Sequence, residues 1–150
     1  MRSARITRSP AGARELEPTM DFEFISEAAK RAYLALPRDI QYQFGTDLNA
    51  VQHGKEPLSK HKVLTESVGP GAIELIENGS PAYRAVYCCK YLNTVFILHA
   101  FEKTTEGVDQ PAMETAKARY KEMKRRVEAE RKQAKRATVA PPPKPRKRGK

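Results

Sequence analysis

The sequence predicts a small α+β domain, with an N-terminal helical hairpin and a C-terminal helix packed on an antiparallel β-meander. Three observations carry this expectation. Apolar residues between 26 and 53 recur at helical spacings, those between 62 and 103 fall in short blocks bounded by turn residues, and a helical period returns from about residue 109. Strands joined in sequence by short turns imply an antiparallel sheet, here with the helices on one of its faces.

DFEFI, residues 21–25, reads as a short first strand. Ser26 follows as an N-cap for a helix that buries Ala28, Ala29, Ala32, Tyr33 and Leu36 until Pro37 ends it. Asp39 caps a second helix, whose Ile40, Phe44, Leu48 and Val51 recur at spacings of four, four and three, and His53-Gly54 supplies its stop. After the loop KEPLSKHK the period changes: KVLTE, AIELIE, PAYRAVYCC and TVFILHAFEK read as four strands. Asn78-Gly79 signals a tight hairpin and KYLN a second short turn. The last helix starts between Asp109 and Pro111, where proline is tolerated in the first turn, and buries Met113, Ala116, Tyr120, Met123 and Val127. Beyond Val127 the apolar stripe fades, so residues 128–136 are expected to be solvated or frayed.

The flanks differ in composition. Residues 1–19, MRSARITRSPAGARELEPT, lack apolar periodicity and are expected to be disordered. A flexible tail, an Arg/Ser-rich targeting peptide and a true start at Met20 compete to explain them. ATVAPPPKPRKRGK at the other end is a proline-interrupted basic segment that cannot build a core. The expected organisation is an extension over 1–19, a folded domain over 20–127 and a basic helix end with a Pro-rich tail over 128–150.

No apolar run is long enough to span a bilayer, since His99 interrupts the longest, Val95 to Phe101, and no signal-peptide segment follows Met1. The expectation is a cytoplasmic protein without a membrane partner. Cys88 and Cys89 are adjacent, which suits neither an ordinary disulfide nor a metal-ligand set, so no metal or other cofactor is expected. The net charge of +10 sits at one end. Residues 117–150 hold 15 of the 28 Lys and Arg but 3 of the 18 Asp and Glu, leaving residues 1–116 at −2. Any phosphate site in the folded body must rest on a few placed cations.

Arg84 lies inside an apolar strand, where an unpaired charge is costly; it faces solvent, pairs with Glu74 or Glu77 across the hairpin, or awaits a phosphate. His99 titrates near neutrality when unperturbed and suits a proton donor or acceptor, or else a hydrogen-bonded support of the sheet. By strict alternation Lys103 shares its side with His99, as do Phe101 and Ile97. Lys60, His61 and Lys62 are the basic cluster of the body, in the loop before the second strand. Tyr83 and Tyr87 share a strand face, available for stacking on a base or for core packing.

Gly69-Pro70-Gly71 with Glu74-Leu75, Tyr83-Arg84 with Tyr87, and His99, Phe101, Lys103 and Thr104 follow one another in an order that resembles the phage-derived HigB-like branch of the RelE/ParE toxin superfamily. The likeness spans roughly residues 20–124. It implies a RelE-like fold and the toxin of a type II toxin–antitoxin pair, an endoribonuclease cutting messenger RNA, usually on the ribosome. It implies a partner antitoxin with a helix-turn-helix domain and a reaction in which the RNA's own 2′-hydroxyl attacks the adjacent phosphate. The residues it points to are Arg84, His99 and Lys103 for catalysis and Lys60, Lys62 and Tyr87 for RNA binding. Two cations of the family pattern are replaced, by Ile76 after Glu-Leu and by Thr65 in the preceding strand. That leaves open two alternatives: a non-catalytic inhibitor of a protein such as DNA gyrase, and a nucleic-acid-binding regulator driven by the basic tail.

Overall fold

The computed structural model describes residues 19–139, with side chains to residue 137; the expectations for 1–18 and 140–150 lie outside the described residues. The elements are β1 (Asp21–Phe24), α1 (Glu27–Leu34), α2 (Arg38–Gln52), β2 (Lys60–Val63), β3 (Ala72–Glu77), β4 (Ala82–Cys88), β5 (Thr94–Lys103) and α3 (Gln110–Val139). This is the α+β order that the sequence predicts.

Local chemistry sets the helix ends. The Ser26 hydroxyl accepts the amide of Ala29 at 3.1 Å, which satisfies one of the free donors of α1's first turn. Asp109 does the same for Ala112 at 3.1 Å and starts α3. Asp39 is not the cap expected of it. Pro37, with φ already at −56°, opens α2 one residue before Arg38, and Asp39 lies in the first turn. There its charge still complements the positive end of the helix.

Strands β2 to β5 form the antiparallel meander, and β1 adds itself in parallel beside β5, giving the order β1-β5-β4-β3-β2. Residues 78–81 connect β3 to β4 through a cis Ser80–Pro81 bond, a longer link than the two-residue turn expected at Asn78-Gly79. Lys60-His61-Lys62 belong to β2 itself, an edge strand, rather than to the loop before it.

The helices cover both faces of the sheet, not one. Phe44, Leu48 and Val51 of α2 pack with Leu75, Tyr87, Val95 and Ile97 on one side. Met113, Ala116, Tyr120 and Met123 of α3 pack with Val86, Cys88, Phe96 and Leu98 on the other. Strand β4 is buried on both faces, so its alternation separates two cores instead of a core from solvent. Each fully buried residue of the size of Phe44 or Leu48 contributes about 1.5–3 kcal/mol.

One irregularity re-aims the end of β5. Tyr87 stands opposite Ile97 but Val86 stands opposite His99, so Leu98 is an extra residue. Before the bulge the even positions Phe96 and Leu98 face α3; after it the odd positions His99, Phe101 and Lys103 do, while Ala100 turns to the helical hairpin. Ile97 therefore faces away from His99, contrary to strict alternation.

Candidate functional site

Four side chains, one from each strand of the meander, meet below the N-terminal end of α3. Arg84 lies opposite both Phe101 and Ile76, and Lys62 lies opposite Glu74. Directly opposed residues point to the same side, which puts Lys62, Glu74, Arg84 and Lys103 on the α3 face. They line a cavity of about 350 Å³ together with Phe101 and Asp109, and Ile76, Leu64 and Met113 add apolar lining. That volume suits a nucleotide-sized group.

Arg84 is buried, at 8 % exposure. Its guanidinium pairs with neither Glu74 nor Glu77. It donates to the carbonyl of Tyr83 at 3.0 Å, to the carbonyl of Glu77 at 3.4 Å and to Oδ1 of Asn78 at 3.1 Å. Glu77 spends its carboxylate on the Gln43 amide, 2.8 Å away. The Arg84 charge is thus fixed in place by neutral oxygens and left for another anion. Lys103 donates to the carbonyl of Thr105 at 2.6 Å, which holds its ammonium near the rim. Burial raises the Glu74 carboxyl above its ordinary value, opposed by the charges of Lys62, Arg84 and Lys103.

His99 lies behind this cavity. Its ring stacks on Phe101, centroids 5.3 Å apart at 25°. Nη1 of Arg119 reaches its Nδ1 at 3.0 Å and the carbonyl of Leu98 at 3.1 Å. A guanidinium has no acceptor, so Nδ1 must accept and the ring proton sits on Nε2. Burial, helped by the Arg119 charge and opposed by Asp109, lowers the imidazole to about 4. His99 is therefore neutral at pH 7, and neither ring nitrogen is ready to accept a proton.

The remaining sequence candidates separate. Lys60 is exposed on the same side of β2 as Lys62 but does not line the cavity. His61 turns to the opposite side, where Nε2 lies 3.5 Å from Glu56. Tyr83 and Tyr87 face the helical hairpin, across the sheet from Arg84. Tyr87 is 1 % exposed, so stacking on a base is closed to it; its ring is core, filling the space between β4 and α2. Ile76 presents an apolar wall where the resembling family carries an arginine.

Arg119, Asn78 and Asp109 join the site without standing out as functional residues in the sequence. Arg119 had a signal, since it follows Ala112 and Ala116 at helical spacing on the shoulder of the buried stripe of α3. Among the described residues no helix is long and apolar enough to cross a membrane, and no group of three His, Cys, Asp or Glu side chains could hold a metal ion.

No curated protein shows significant similarity to the chain. A family model does match, over residues 32–121, from the end of α1 through the whole meander into α3, and so takes in every residue lining the cavity. The chain belongs to the family of phage-derived Gp49-like proteins (DUF891).

Proposed function

We propose that this chain is the toxin of a type II toxin–antitoxin pair and acts as an endoribonuclease on messenger RNA bound to the ribosome. The Gp49-like family is associated with RelE-type toxins, which supports the class. The observation that carries the activity is the convergence of Lys62, Arg84 and Lys103 on one cavity of nucleotide size. Arg84 and Lys103, each held by hydrogen bonds, together with Lys62 grip a phosphodiester and stabilise the charge that develops on its oxygens when the neighbouring 2′-hydroxyl attacks. Lys60, further along β2, holds the RNA backbone leading into the site. Such a reaction needs no metal and no covalent enzyme intermediate. His99, neutral and held by Arg119, keeps Phe101 and the end of β5 in position. The partner is an antitoxin, with a helix-turn-helix domain as the expected form, that silences the site when bound.

Induced expression followed by mapping of transcript ends tests this reading. Cleaved messages that vanish in the Arg84→Ala, Lys103→Ala variant support it. Intact RNA accompanied by DNA damage points to a protein target instead, and a small helix-turn-helix gene adjoining this one is the expected neighbour.

A further inference from the structure

We propose that Glu74 is the general base of the site, the carboxylate that takes the proton from the attacking 2′-hydroxyl. This rests on the ribonuclease reading above and adds to it the residue that moves the proton. Glu74 is 5 % exposed, on β3, and lines the cavity. Among the described residues no donor hydrogen-bonds to its carboxylate and no cation forms an ion pair with it. Other carboxylates near the sheet are committed. Glu77 accepts from Gln43 and Asp109 caps α3; Asp47 accepts the amides of Leu58 and Ser59 through Oδ1 at 2.8 and 2.9 Å, and although its buried Oδ2 has no partner it belongs to α2 and does not line the cavity.

Leaving a buried carboxylate without a partner is costly, and a fold keeps one where a ligand completes it. The groups facing Glu74 are Lys62 from β2, Arg84 from β4, Lys103 from β5 and Asp109 ahead of α3; α3 itself contributes only the apolar Met113. Burial makes it a stronger base than an exposed glutamate, a rise that the three positive charges oppose without cancelling. Of the other two proton acceptors at hand, His99 has its Nδ1 occupied by Arg119 and Asp109 has Oδ1 occupied by Ala112.

The 2′-hydroxyl gives its proton to Glu74 and its oxygen bonds to phosphorus as the bond from phosphorus to the 5′-oxygen breaks. The Lys103 ammonium protonates the departing 5′-oxygen, and the proton on Glu74 returns through solvent to Lys103. The products are a 2′,3′-cyclic phosphate and a 5′-hydroxyl.

The test compares the full chain with Glu74→Gln on a fluorescent oligoribonucleotide, free and as ribosome-bound message, from about pH 5 to about pH 9. Wild type should show a rate that rises with pH on its acidic limb. Glu74→Gln should lose at least about a hundredfold in kcat together with that limb, while binding an uncleavable 2′-deoxy oligonucleotide as tightly as wild type or more so. His99→Gln, whatever its rate, should keep the limb. If Glu74→Gln melts early, Glu74→Asp takes its place and should lower kcat with KM held within about threefold. Cleavage by folded Glu74→Gln within about threefold of wild type, or an unchanged limb, overturns the assignment and leaves the ribonuclease reading standing. Wild type that cleaves neither substrate overturns both.

Discussion

Arg119 of α3 donates to Nδ1 of His99 in β5 at 3.0 Å, and so a cation props an imidazole that it also discharges. The imidazole should titrate at about 4 rather than at its ordinary 6.5, readable as the pH dependence of its ring resonances by NMR. Arg119→Met should move it upward, though not fully back, because burial is the larger cause. The unfolded chain binds a proton at His99 that the folded one refuses, so this residue's contribution to stability falls as pH drops from about 6.5 to about 4. His99→Gln should flatten the fall in Tm across that window.

Gly69 has no room for a side chain. A Cβ there would sit 2.4 Å from the Tyr120 ring, whose hydroxyl is tied to the Pro70 carbonyl at 2.6 Å and cannot swing aside freely. Gly69→Ala should destabilise by about 1–3 kcal/mol, the range for overpacking. Adding Tyr120→Leu should recover part of the loss, which thermal melts of the single and double variants measure.

Tyr87 tests the division of the sheet into two faces. Tyr87→Ala should cost about 3–5 kcal/mol by emptying the centre of the hairpin-side core. Tyr87→Phe should keep both Tm and RNA binding close to wild type, since the ring is packing and not a base platform. A large loss of RNA affinity in Tyr87→Phe with an unchanged melt would contradict the placement.

The far end of α3 separates charge from fold. Side chains 128–137 are exposed, and the last core residue is Val127. Arg126 still ties the helix to β1 through Glu23 at 2.6 Å. Truncation after Glu130 should leave Tm nearly unchanged while removing nine Lys and Arg residues. RNA affinity should then fall at low salt and depend less steeply on salt, through the loss of counterion release. Affinity measured over a salt series checks the slope.

The elements were legible because their signals are local: Ser26 as a cap, the spacing of Phe44, Leu48 and Val51, the stripe from Met113 to Val127. What sequence could not give was which sides meet. The face of Lys103 depends on a bulge at Leu98, and nothing in FILHAF announces an extra residue. Strand β4 reads as apolar throughout because both its faces are covered, so the sequence left open whether the Tyr87 ring was core or a platform for a base. The partnership of Arg119 with His99, twenty positions apart, exists only once α3 has packed. Glu74 entered as a possible ion-pair partner for Arg84; that the pair is unmade is a matter of tertiary geometry.

Arg84 and Lys103 sit at the centre of the account, and the end chemistry of RNA exposed to the purified full chain tests them most directly. Wild type should release 2′,3′-cyclic phosphate and 5′-hydroxyl ends, and Arg84→Lys or Lys103→Met should each slow that release by about a hundredfold with Tm largely kept. Undiminished cleavage in both folded variants, or ends carrying a 5′-phosphate, would contradict it.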